Sequence, residues 1–185
     1  VQDQKVGNGV NGAGDLTLSQ NAPVAAEVAG LKGLRFKGGQ MLTTDTKQIP
    51  NLDLSQPWAV EATIAVDAKP DGYVGGIYQA MNYGKSGMRL VLDQQMRLGV
   101  EIWTSEGQNK GIKGQSVLTP GRVYNTLVKF DGSRAYLYVN GKLDGSVDTA
   151  LPAPYSGPIQ IGVASGKDYN FNGFISGIKV LSLAD

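Results

Sequence analysis

The stretch MRLVLDQQMRLGVEIW, residues 88 to 103, sets Arg89, Glu101 and Trp103 at alternate positions of two apolar runs. Residues spaced by two share one side of a strand. The three are therefore expected on the face opposite Met88, Leu90, Leu92, Met96, Leu98, Val100 and Ile102. An indole beside a guanidinium and a carboxylate is equipment for holding a polyhydroxylated ring. The aromatic surface covers the apolar side of a pyranose, and planar polar groups take its hydroxyls. RAYLYV, residues 134 to 139, offers Tyr136 and Tyr138 on its polar side, and GYVGGIYQAMNYG, residues 72 to 84, offers Tyr73, Tyr78 and Tyr83 as loop aromatics beside Gln79 and Asn82. A plainer reading stands next to each. Tyrosine suits the outer face of a sheet without any ligand, and a loop aromatic often only pins its loop.

Other chemistries find less support. GNGVNGAG contains Gly7, Gly9 and Gly12 at the spacing of a dinucleotide-binding turn, but that turn follows a buried strand and opens a helix, and only VQDQKV precedes it here. It reads as a flexible, glycine-rich lead-in over residues 1 to 14. KDYNFNG offers Asp168, Asn170, Asn172 and Gly173, the first half of a calcium loop. The twelfth position is Lys179 where a bidentate carboxylate would be needed. What stays open is a looser calcium site using Asp168 with backbone carbonyls, against a capped turn with no metal. No cofactor is otherwise expected.

Glycoside hydrolysis needs two carboxylates about 5 to 9 Å apart across one groove. The hairpin supplies Asp93 near its turn and Glu101 well along the return strand, with no strand carrying clustered acids. The chain has no histidine and no cysteine, which removes histidine-dependent triads, thiol catalysis and Cys/His zinc. No catalytic residues are assigned.

Of 185 residues, 41% are hydrophobic and 18% charged, the balance of a folded domain rather than a disordered one. A single domain is expected at this length. The formal charge is +1 with Lys and Arg scattered, so there is no field for a phosphate backbone, and no apolar run approaches the roughly 20 residues of a spanning helix. Nucleic acid and membrane insertion recede. The chain opens on Val1 rather than Met, which suits a processed or excised fragment.

Twenty-six Gly and eight Pro point to many turns between short strands. PWAVEATIAVDA, residues 57 to 68, alternates Trp58, Val60, Ala62, Ile64 and Val66 against Glu61, Thr63 and Asp67, between limits set by Pro57 and Pro70-Asp71-Gly72. VYNTLVKF and RAYLYVNG alternate around Asp131-Gly132, and Asn140-Gly141 closes the second run; both pairs favour tight hairpin turns. In FNGFISGIKVLSL, residues 171 to 183, the apolar phase shifts between Ile175 and Ile178, which predicts a bulge at Gly177. No segment holds a 3.6-residue period. The elements predict an all-β chain folded as an antiparallel sandwich or barrel.

Taken in order, GLRFKGGQML, PWAVEATIAVDA, VYNTLVKFDGSRAYLYVNGKLDG, PIQIGVAS and FNGFISGIKVLSL resemble the laminin-G-like domains of the concanavalin A-like lectin/glucanase superfamily over most of the chain. The family's motifs match Phe36 to Gly38, Tyr124 through Gly132, Leu137 to Gly141 and Phe171 to Ile175. Tyr124 stands where the family usually has Trp. Ser176-Gly177 stand where it often has an acidic pair, which weakens any inherited calcium site. The resemblance implies a jelly roll with one concave and one convex face. It also implies a non-catalytic, lectin-like module binding a glycan or polysaccharide, in a larger secreted, periplasmic or cell-surface protein. Trp103, Arg89, Glu101, Tyr136, Tyr138, Tyr78 and Tyr83 are then the candidate ligand contacts, with Tyr136 and Tyr138 expected on the concave sheet. An interaction or spacer domain contacting a protein partner is the second reading, and a polysaccharide-active enzyme the third.

Overall fold

The computed structural model describes residues 5–6, 16–18, 22–43, 56–164 and 169–183. Seventeen strands and no helix occur among them. One sheet of eight is built from β1 (Lys5–Val6), β2 (Leu16–Leu18), β5 (Leu42–Thr43), β14 (Gln160–Ile161), β7 (Val74–Asn82), β8 (Ser86–Asp93), β9 (Arg97–Trp103) and β10 (Asn109–Val117), in that spatial order. A sheet of seven follows the order β13 (Lys142–Asp148), β12 (Arg134–Val139), β11 (Val123–Phe130), β6 (Trp58–Val66), β17 (Gly173–Ser182), β4 (Leu31–Phe36) and β3 (Val24–Val28). A small ribbon pairs β15 (Val163–Ala164) with β16 (Tyr169–Asn170). The pairings within the sheets are antiparallel, and the two sheets face each other as a jelly-roll sandwich. Of the lead-in, Lys5–Val6 pair with Leu16–Thr17; its four glycines, at 7, 9, 12 and 14, lie outside the described residues.

Alternation explains why these segments are strands. On β6, Trp58, Val60, Ala62, Ile64 and Val66 are buried in the core while Glu61 and Thr63 are half-buried on the other side. The facing layer is Met88, Leu90 and Leu92 of β8 with Leu98, Val100 and Ile102 of β9, none more than 1% exposed. At roughly 1.5 to 3 kcal/mol for each large apolar side chain removed from water, these two rows carry a large part of the fold's cohesion. Trp58 lies opposite Phe130 across β6 and β11, their ring centroids 5.8 Å apart.

The turns take the predicted form. Asn140 and Gly141 both adopt positive φ, 50° and 75°, the requirement for a two-residue turn that matches strand twist. At the other end of β12, Asp131 Oδ1 accepts the backbone N–H groups of Ser133 and Arg134, each at 2.9 Å. The bulge of β17 falls between Ile175 and Gly177, where the apolar phase shifts, and it returns Ile178 and Val180 to the core side.

Two further bulges redirect side chains. One falls on β7 between Gly76 and Tyr78, which leaves Ile77 as the extra residue. Tyr78 then pairs with Leu90 and points with it into the core, and Gln79 pairs with Arg89 on the outer face. The other makes Asp144 the extra residue on β13. Its buried carboxylate accepts the N–H groups of Gln115 and Ser116 at 3.2 and 2.9 Å, so it fastens the edge of one sheet to the edge of the other.

Candidate functional site

β8 and β9 carry the site because their register fixes who meets whom. Arg89 lies opposite Glu101, and Gly87 opposite Trp103. Arg89 Nη2 donates to both carboxylate oxygens of Glu101 at 2.9 Å. The guanidinium side chain is only 6% exposed and the carboxylate side chain 25%. Charge-assisted bonds of this kind are what allow an arginine to be buried at all.

Tyr83 reaches this pair from the turn between β7 and β8. Its ring centroid is 5.2 Å from Arg89 Cζ, a cation–π contact, and 6.0 Å from the Trp103 ring at an interplanar angle of 71°. Tyr83 is largely exposed and Trp103 is half-buried. The indole Nε1 of Trp103 is enclosed and has no acceptor among the described residues, so the part of the ring left open is carbon. Gln79 extends the polar ground on the far side of Arg89, its amide donating to Gln160 Oε1 at 2.9 Å. Gly111 stands beside Glu101 on β10 and Gly87 beside Trp103. Neither adds a side chain to cover its neighbour.

The segment after β13 closes the end of this strand pair. Ala153 accepts from Gly87 N at 3.2 Å and donates to Trp103 O at 2.8 Å, and Ser105 N donates to Leu151 O. The backbone carrying Trp103 is thereby held from two sides.

Of the residues singled out in the sequence, Arg89, Glu101, Trp103 and Tyr83 come together here. Tyr78 does not: it is 1% exposed and belongs to the core, because the bulge at Ile77 turns it inward. Burial, with a smaller effect of Tyr155, raises its hydroxyl well above the ordinary tyrosine range.

Tyr136 and Tyr138 also stand apart. They lie on β12, in the seven-stranded sheet, so their outer face is on the opposite side of the sandwich from Trp103. Strand order thus separates these two tyrosines from the Trp103 group. Their rings stack on each other at 6.3 Å, and the Tyr136 hydroxyl donates to Asp131 Oδ2 at 2.9 Å. Tyr138 borders a shallow groove of about 630 Å³ whose floor includes Glu61, Thr63, Asn125 and Leu127 and whose other wall is Lys179.

Asp168 lies outside the described residues. Its neighbour Asn172 acts as a local brace, its Oδ1 accepting Gly38 N–H at 3.0 Å and its backbone carbonyl accepting Asp67 N–H at 3.0 Å. Among the described residues no group of three or more acidic, histidine or cysteine side chains is gathered for a metal. Gln160, which sequence reading passed over, joins the site only because β14 inserts beside β7, a long-range pairing with no local signal.

Sheet order, paired faces and turns of this kind define a concanavalin A-like sandwich. The laminin G family model described as the Concanavalin A-like lectin/glucanases superfamily matches residues 37–184, and the chain belongs to that family. No curated protein matches it by sequence. Among solved structures, the mouse laminin alpha1 chain domains LG4-5 align with a TM-score of 0.64 at 12% identity, over 90% of this chain and 48% of that one. The binding domain of botulinum neurotoxin serotype D aligns with a TM-score of 0.62 at 12% identity, over 91% and 45%. The CBM40 of a Ruminococcus gnavus IT-sialidase, solved bound to alpha2,3 sialyllactose, gives 0.56 at 14% identity, over 70% and 78%. This chain thus spans less than half of the toxin domain and of the laminin pair. At these identities the likeness is one of fold.

Proposed function

We propose that this domain is a non-catalytic carbohydrate-binding module, working as part of a larger secreted, periplasmic or cell-surface protein. The observation that carries the reading is the Tyr83 and Trp103 ring pair set beside the Arg89–Glu101 ion pair on the outer face of β8 and β9. An open carbon rim accepts the apolar side of a sugar ring. The partly exposed carboxylate accepts its hydroxyl protons, and the rigid sheet holds both in place. None of these four side chains needs a metal to do this, so binding is expected to proceed without calcium. Similar domains whose names mention binding, the toxin domain and the sialyllactose-bound CBM40, lend support at the level of fold.

The spacing of acids supports binding over hydrolysis. Asp93 and Glu101 share the outer face, but Asp93 lies opposite the start of β9 and Glu101 four residues further along it. At about 3.3 Å per residue that is roughly 13 Å, beyond the span of a hydrolytic carboxylate pair. Asp93 is also occupied, accepting from Gln95 N and Arg97 N.

A glycan array followed by calorimetric titration in chelator tests the reading. Saccharide binding that Trp103→Ala abolishes is the expected result, and an array without signal would oppose it. A protein-contacting role is the second reading, favoured by one observation: Leu143, 57% exposed, pairs with Tyr138 on the other sheet. A pull-down partner lost on Leu143→Ser and indifferent to sugar would favour it.

A further inference from the structure

We infer that the site selects neutral saccharides and rejects those bearing a carboxylate. This rests on the carbohydrate reading above and concerns the sign of charge that the site presents to its ligand. An arginine in a sugar site is ordinarily the group that would receive a sialic or uronic acid, by a two-pronged bond to the carboxylate. Here that capacity is already used. One nitrogen of Arg89, Nη2, reaches both oxygens of Glu101 at 2.9 Å, and the Tyr83 ring lies 5.2 Å from the guanidinium carbon.

Exposure decides which charge a ligand meets. The side chain of Glu101 is 25% exposed and that of Arg89 6%. The cation is beneath and the anion is on top. Among the described residues, the cross-strand neighbours of this group add no second cation: Gln79 beside Arg89 is bonded to Gln160, Gly111 stands beside Glu101, and Gly87 and Asn109 stand beside Trp103, while Arg97 lies four residues back along β9. Lys113 sits further along β10 and is directed to Asp93 at 3.9 Å. A hydroxyl donor therefore finds an acceptor here, while a carboxylate finds a like charge held in place by its two bonds to Arg89 Nη2.

The experiment compares neutral oligosaccharides with the same cores extended by a sialic or uronic acid, titrated into the full chain at low salt. The neutral forms are expected to bind at least about tenfold more tightly. Raising the ionic strength should narrow the gap by strengthening the acidic ligands, since screening weakens repulsion between exposed charges. Glu101→Gln should narrow it further at low salt, with circular dichroism checking that the variant folds. If it does not fold, the salt series on the unaltered chain carries the test. Acidic ligands binding as well as or better than their neutral cores would overturn the selectivity and leave the carbohydrate reading standing. No binding to either class would overturn both.

Discussion

Arg89 and Glu101 stand opposite each other on β8 and β9, and a single guanidinium nitrogen, Nη2, reaches both carboxylate oxygens at 2.9 Å. The pair organises its surroundings, with Tyr83 over the cation and Trp103 two residues along the strand from the anion. Its two halves are unequal in cost of removal. Glu101→Ala takes the paired carboxylate from a buried cation and should destabilise the domain by about 3 kcal/mol, whereas Arg89→Met leaves a carboxylate that water already reaches and should cost less. Urea unfolding of both variants measures the difference, and equal losses would contradict the burial argument.

Asp144 should behave as a structural tie between the sheets. Asp144→Ala removes a buried carboxylate and leaves the N–H groups of Gln115 and Ser116, on an exposed stretch of β10, without their protein acceptor, at a cost of about 1 to 3 kcal/mol. Ser116→Ala removes only a hydroxyl and should cost about 1 kcal/mol. Thermal melts of the two variants check the order.

Asp131 should make acid stability depend on one turn. The backbone N–H of Ser133, then that of Arg134, then the Tyr136 hydroxyl hold its carboxyl well below the ordinary value of 3.8. A depressed folded value means that the contribution is complete above the unfolded value and is lost as pH falls below it, through the folded one. Urea midpoints followed downward from about pH 5 should therefore decline less steeply for Asp131→Asn than for the unaltered chain. The same substitution should bring the Tyr136 hydroxyl back toward 10.0, since its rise is owed first to the bond with Asp131. A phenolate absorbance titration reads that change.

Much of this was legible along the chain because side-chain direction alternates with period two. The Trp58-to-Val66 face, the core faces of β8 and β9, and even the bulge of β17 just before Gly177 follow from apolar phase alone. What was hidden depends on pairing between distant segments. Gly75-Gly76-Ile77 fits either phase, so nothing local announces the bulge that sends Tyr78 inward. RAYLYV alternates as clearly as MRLVLD, yet alternation does not say which sheet a strand joins. Strand order puts Tyr138 on one side of the sandwich and Trp103 on the other. Gln160 meets Gln79 only through a contact across 81 positions.

The central claim is that a sugar ring lies against Trp103, and tryptophan fluorescence tests it most directly. The chain has two tryptophans, and Trp58 is fully buried between the sheets against Phe130. A spectral change on titration with a neutral oligosaccharide therefore reports Trp103. The account predicts a saturable change that vanishes in Trp103→Phe and persists in Tyr138→Ala. A spectrum that stays still while calorimetry records binding, or a change that survives Trp103→Phe, would contradict it.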